Sequence, residues 1–342
     1  ELRVTGSFIG LDATGLQAAP NNTDKGGNAA LSQSAGATGS QIGGAAAADR
    51  NVIAANAGDD GSVDAGIHIA GLSGGGSAGT IENNYIGTLT DGVTAAANAG
   101  AGIYVDASAD GLIVRDNVIS ANAFEGLLIN GPASGAQSGT VVQGNRIGLG
   151  SDGSTPLGNQ AQGIRVEDAA GESRVDIGGT GMQDFNVIAH NGFEGIRLPA
   201  GARRSPYRQN RIFSNGALAT GDDTGLAVRL AQSSNTRNSG PLLNISSATS
   251  GQDGTQIRGS LSEAPGVSLV ELDFFVNSIC DSGGFGEAQQ WLGSLPAQPV
   301  GTDFSFSAPT VVNVGDQITA TLTSFDAGGC LLYTSDAADE RS

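Results

Sequence analysis

At 342 residues the chain can form two domains, or one long repeat domain with an appendage. Glycine holds 55 positions, charged residues make up 15% and apolar ones 39%, so the chain is turn-rich yet has enough apolar content for a core, and wholesale disorder is excluded. Acids outnumber bases 34 to 16, and the net charge of −18 argues against nucleic acid, whose phosphates would repel it.

No apolar run reaches the roughly 18 residues that a bilayer span needs, so no membrane span is expected in this chain. Cys280 and Cys330 are the only cysteines, which excludes a disulfide scaffold and a multi-cysteine zinc site. The chain opens in the middle of a pattern, and the reading is of a fragment or a processed product.

From Asn51 onward, two short units alternate strictly, six times. One is Asn-x-Ile, with its asparagine at 51, 84, 117, 145, 186 and 210. The other is Gly-[Ile/Leu]-x-apolar: GIHI at 66–69, GIYV at 102–105, GLLI at 126–129, GIRV at 163–166, GIRL at 195–198 and GLAV at 225–228. Constant motifs at a varying period mean fixed short strands joined by loops of changing length. By the two-residue period of strands, Ile53, Ile86, Ile119, Ile147, Ile188 and Ile212 point inward. So do Ile81, Val114, Val142 and Tyr207, and also Ile67, Ile103, Leu127, Ile164, Ile196 and Leu226. Helical solenoids are disfavoured because the 3.6-residue period is missing, and a propeller would need four strands per unit.

The expected fold is therefore all-β: a parallel β-helix of about seven coils with three short strands each. The general crossover preference makes it right-handed. The recurring asparagines are expected to form an internal ladder at a turn, each amide bonding the next coil. Long coils carry Asp-Gly turns, IGTLTDG at 86–92 and IGLGSDG at 147–153, with IGLDATG at 9–15 as an N-terminal relative, while short coils read NVIxxN, two of them introduced by QIGG and DIGG. With these motifs on the page, residues 1–239 resemble bacterial right-handed parallel β-helix repeat proteins of the pectin-lyase-like fold. That resemblance implies a secreted or cell-surface protein, and it is specific for fold rather than for activity, since the fold hosts many functions.

After Ser239-Gly240-Pro241 the pattern becomes one of longer alternating strands. In SLVELDFFVN (268–277), Val270, Leu272, Phe274 and Val276 face one way, and Glu271 and Asp273 the other. Residues 240–329 are expected to form a small Ig-like β-sandwich that caps or spaces the solenoid. FFVNSICDSGGFGEAQQWLGS resembles the C-terminal module that follows such β-helices. CLLYTSDAADERS, from Cys330 to the end, resembles translated sequencing-adapter read-through, so 330–342 is expected to be non-native and is left out of functional argument.

Chemistry is sparse. His68 and His190 are the only histidines, too few for a His-rich metal site, and each is expected to be exposed or satisfied. The polygalacturonase-like enzymes that share the resembled fold combine Asn-Thr-Asp, Asp-Asp, Gly-His-Gly and Arg-Ile-Lys. Here Asn22-Thr23-Asp24 sits in a polar insertion, Asp59-Asp60 and Asp222-Asp223 are present, and the other two signatures are missing. The Asp-Pro-His motif of alginate epimerases is missing too.

The outward column between the two apolar residues of the glycine unit runs His68, Tyr104, Leu128, Arg165, Arg197 and Ala227, so Arg165 and Arg197 are expected side by side at about 4.8 Å. Just before the glycine stand Glu125, Gln162 and Glu194. Tyr104, Glu125, Arg165, Glu194 and Arg197 thus form a candidate ligand-binding group for an acidic sugar chain. A surface ion-pair ladder is the plainer account of the same residues.

Ca2+ is considered at Asp91-Gly92, Asp152-Gly153 and Asp59-Asp60-Gly61, although ordinary turn chemistry explains Asp-Gly and no regular calcium-binding repeat is present. No metal site or cofactor is otherwise expected. The leading expectation is a structural or adhesive scaffold, secreted or on the cell surface, with an extracellular polysaccharide or cell-surface glycan as partner. The alternative is a lyase, hydrolase or epimerase acting on uronate polymers.

Overall fold

The computed structural model of the chain describes residues 3–21, 29–33, 39–58, 64–70, 79–106, 111–131, 139–167, 174–199, 205–218, 228–230, 243–278 and 287–337. Between Arg3 and Leu230, short strands assemble into three sheets of seven, each sheet taking every third strand in chain order. Every pairing between them is parallel, so the chain winds as a parallel β-helix of seven coils, as the repeats predict. Ile53, Ile86, Ile119, Ile147, Ile188 and Ile212 lie in direct register up one wall. With their counterparts from the other two walls they make a single buried core. In the coils introduced by QIGG and DIGG, Ile42 and Ile177 fill the inward position of the first wall.

The last coil departs from expectation. Leu226 and Ala227 lie outside the described residues, and Val228 is the residue that pairs with Ile196. Arg229 pairs with Arg197, and Leu230 with Leu198. The apolar-x-apolar unit of this coil is therefore Val228-Arg229-Leu230, two residues later than the Gly-Leu motif suggests.

The asparagine ladder is present in full. Each Nδ2 donates to the Oδ1 of the next coil's asparagine, from Asn51 through Asn84, Asn117, Asn145 and Asn186 to Asn210, at 2.9–3.0 Å. The same Oδ1 also accepts the backbone N–H of the preceding rung, and spare amide protons go to backbone carbonyls such as Ile81 O and Arg115 O for Asn117. A second ladder, not anticipated, runs Asn56, Asn98, Asn122, Asn159, Asn191 and Asn215 at 2.7–2.9 Å. It explains the glycine of the Gly-Ile unit: a Cβ on Gly102, Gly126 or Gly163 would come within 2.9 Å of the neighbouring ladder amide and 2.7 Å of the next coil's carbonyl. Glycine and asparagine recur together because one makes room for the other.

Coils one, three and five each throw out a short hairpin, bridged at Leu11–Ala18, Thr88–Ala95 and Leu149–Pro156. The turn at each tip is held by an aspartate, Asp12, Asp91 or Asp152. Asp91 accepts from Val93 N at 3.0 Å, Thr94 N at 2.9 Å and Thr94 Oγ1 at 2.6 Å, and Asp152 does the same with Ser154 and Thr155. Successive hairpins touch across the intervening short coil, with Ser151 N donating to Gly92 O at 2.8 Å.

The C-terminal part is a sandwich of a three-stranded and a four-stranded antiparallel sheet around its own apolar core. Leu331–Ala337 pairs along Gln317–Phe325, so part of the tail set aside at the sequence level completes the larger sheet by backbone pairing. The central strand Leu269–Asn277 is buried on both faces. Val270, Leu272, Phe274 and Val276 enter the sandwich core, while Phe275 joins the β-helix core. On that second face Asp273 takes a two-pronged bond from Arg208 of the last coil, at 2.6 and 3.1 Å, and Glu271 and Ser294 close around it. Ile212 and Ala288 exchange backbone bonds at 2.9 Å, which occupies an edge the last coil would otherwise leave open.

Asn117→Ala removes the acceptor of the Asn84 backbone N–H and side-chain amide and one of the two donors to Asn145 Oδ1 in a buried row, each unsatisfied group costing about 1–3 kcal/mol. Urea unfolding is expected to show a loss of about 2–4 kcal/mol, and a change under about 0.5 kcal/mol would contradict the ladder's role. Arg208→Ala leaves Asp273 buried and unpaired, for a loss of about 3–5 kcal/mol. Asp273→Asn added to it should recover part of that loss in the same titration.

Candidate functional site

The sheet that carries the glycine units supplies the candidate residues. Arg165 and Arg197 are direct register partners, as expected, and Arg229 extends the row on the next coil. Three arginines thus occupy three successive rungs about 4.8 Å apart. Arg229 escaped the sequence reading, and its available signal was the alternation Val228-x-Leu230.

Beside this row stand Glu125, Gln162 and Glu194, joined by backbone bonds from Gly126 N to Gln162 O and from Gly163 N to Glu194 O. Both carboxylate residues are nearly sealed, at 3% and 2% exposure. Arg165 reaches across to Glu125 Oε1 at 3.0 Å and also pairs with Glu167 on its own strand. Gln162 Nε2 donates to Glu194 Oε2 at 2.8 Å. The glutamine keeps the two glutamates from being rung neighbours, so like charges do not meet. Arg197 has no carboxylate partner among the described residues.

Tyr104 belongs to the same column but not to the same cluster. Leu128 separates it from Arg165, its ring stacks on His68 with centroids 5.0 Å apart, and its hydroxyl accepts from Asn130 Nδ2 at 3.4 Å. It is buried together with Leu128, Ala65 and Ala101. His68 departs from expectation in being half-buried rather than exposed, and its Nε2 has no hydrogen-bond partner among the described residues. Burial lowers the His68 pKa below the usual 6.5, and the charge of Asp106 opposes that shift without overcoming it. His190 is lowered by burial as well.

The hairpin aspartates considered for Ca2+ are engaged in their own turns. Bonds from Thr155 and Ser154 hold the Asp152 carboxyl far below the usual carboxylate range. Among the described residues, no group of three or more His, Cys, Asp or Glu side chains is placed to hold a metal ion. Asp59-Asp60-Gly61, Asn22-Thr23-Asp24 and Asp222-Asp223 lie outside the described residues.

Set against known protein families, curated proteins and solved structures, the chain matches none of them. Its chemistry therefore rests on the geometry alone. Glu125 and Glu194 are sunk beneath the surface and bonded to Arg165 and Gln162 respectively, an arrangement that orients one guanidinium, while Arg197 has no carboxylate partner among the described residues. Around it the local sequence is basic: seven of the 16 basic residues, all arginine, fall between 197 and 237, against two acids.

A histidine whose folded pKa lies below its unfolded value adds stability that is complete above about pH 6.5 and is lost as pH falls toward the folded pKa. Urea midpoints at pH 7.5 and 5.0 are expected to fall further for the parent protein than for His68→Phe. Parallel falls in both proteins would remove His68 as the cause.

Proposed function

We propose that the protein is a secreted or cell-surface scaffold whose outer arginine row binds an acidic polysaccharide. The observation that carries this reading is Arg197, in register with Arg165 and Arg229 and without a carboxylate partner among the described residues. Adjacent like charges repel, and an anion laid across them relieves that repulsion through bidentate, charge-assisted bonds. Elsewhere the chain is strongly acidic, so a polyanion has few other places to settle. Kinship with the pectin-lyase-like β-helices belongs to the same proposal and is supported by the alternating Asn-x-Ile and Gly-Ile units.

Retention on immobilised polyuronate, run with and without calcium, tests the reading. The parent protein is expected to be retained at low salt and released as salt rises, since exposed charges are screened. Arg165→Ala combined with Arg197→Ala should abolish retention, and unchanged retention would sink the proposal. Absorbance at 235 nm and reducing ends, followed in parallel, would expose a lyase or a hydrolase and give the site a catalytic role.

A further inference from the structure

Next to the glutamate column lies another that the functional reading does not use. Phe124, Ala161 and Phe193 occupy one position on three successive coils, linked by bonds from Ala161 N to Phe124 O and from Phe193 N to Ala161 O. Both phenylalanines are open to solvent, at 38% and 37% exposure. Leu218, half exposed, lies beside the strip, its N–H bonded to Gly192 O. The two aromatic rings therefore stand two rungs apart, about 9.6 Å, with a small residue between. The neighbouring column has the same two-rung period, Glu125, Gln162, Glu194. The strip is continuous with the cationic row, because Arg165 reaches across to Glu125, the residue that follows Phe124.

We infer that the ligand is an acidic polysaccharide with a two-sugar repeat, lying along the solenoid axis with the apolar face of alternate sugars on Phe124 and Phe193 and its acidic groups at the arginine row. The inference rests on the polysaccharide reading and sharpens it. An aromatic ring offers a flat apolar face to the C–H face of a sugar, and a ring at every second rung selects a polymer that presents such a face at every second residue. A homopolymer must set against Ala161 the same sugar that it sets against the rings, whereas an alternating polymer places a different sugar there. Charge complementarity holds along the same line, since Arg197 has no carboxylate partner among the described residues.

The full chain would be titrated with hyaluronan, which alternates uronate and N-acetylhexosamine, and with polygalacturonate, a uronate homopolymer. Expected is binding of the alternating polymer about tenfold tighter than that of the homopolymer. Phe124→Leu with Phe193→Leu, which keeps apolar bulk and therefore the fold, should bring the affinities for the two polymers to within about twofold of each other. Arg197→Ala should weaken both. Equal affinity for the two polymers, or a preference that survives loss of both rings, overturns the two-sugar inference and leaves the polysaccharide reading standing if Arg197→Ala still weakens binding. No binding of either polymer at low salt overturns both.

Discussion

Coil-on-coil hydrogen bonding forces each position to sit about 4.8 Å from the same position of the next coil, and everything else in the solenoid answers to that constraint. A column survives only if its residue type tolerates its own kind as neighbour. Isoleucine does, by packing. Asparagine does because a primary amide carries both donor and acceptor, so an unbroken row satisfies itself inside the core. Carboxylates do not, and in the glutamate column a glutamine stands between them. In the arginine row, Arg165, Arg197 and Arg229 hold successive positions without an interposed neutral residue. Arg165 has Glu125 and Glu167 as partners and Arg197 has no carboxylate partner among the described residues, and on that difference the proposal of an outside partner rests.

The same constraint sets the alternation of long and short coils. A hairpin is two strands wide, about twice the distance between coils, so consecutive coils cannot both carry one on the same wall. Hairpins on coils one, three and five meet over the short coils between them, and those coils pack beneath: Ala55 N and Ala121 N donate to Ala96 O and Leu157 O of the hairpin-bearing coils that follow. A period of two coils is thus imprinted on the outer surface, and the Phe124–Ala161–Phe193 column carries it on to the candidate site.

Much of this was legible in the sequence because the motifs are short, invariant in spacing and tied to a two-residue period. The isoleucine columns, the first asparagine ladder and the Arg165–Arg197 contact all follow from reading alternate residues. The second ladder was half visible in NVIxxN, but Asn98 and Asn159 come after hairpin insertions of no fixed register, so alignment by the first asparagine misses them. The last coil slipped by two residues because GLAV matches the motif while Val228-Arg229-Leu230 matches the strand, and backbone pairing chose the latter. Tyr104 was grouped with the arginines by column alone, although Leu128 intervenes and His68 claims the ring.

The sandwich strand Leu269–Asn277 shows a different limit. Its alternation correctly divides Val270, Leu272, Phe274 and Val276 from Glu271 and Asp273, yet a polar face read alone suggests solvent. In the fold that face meets the last coil, and the charges are buried against Arg208. A buried ion pair is a weak source of net stability, since desolvation offsets most of the attraction, and an apolar pair would cement the two parts as well. Its contribution is to alignment: a guanidinium bonded at both oxygens of Asp273 fixes the angle and height of the sandwich on the coil. That fit brings Ala288 within backbone bonding of Ile212, so charge sets the register in which the strand edge is closed.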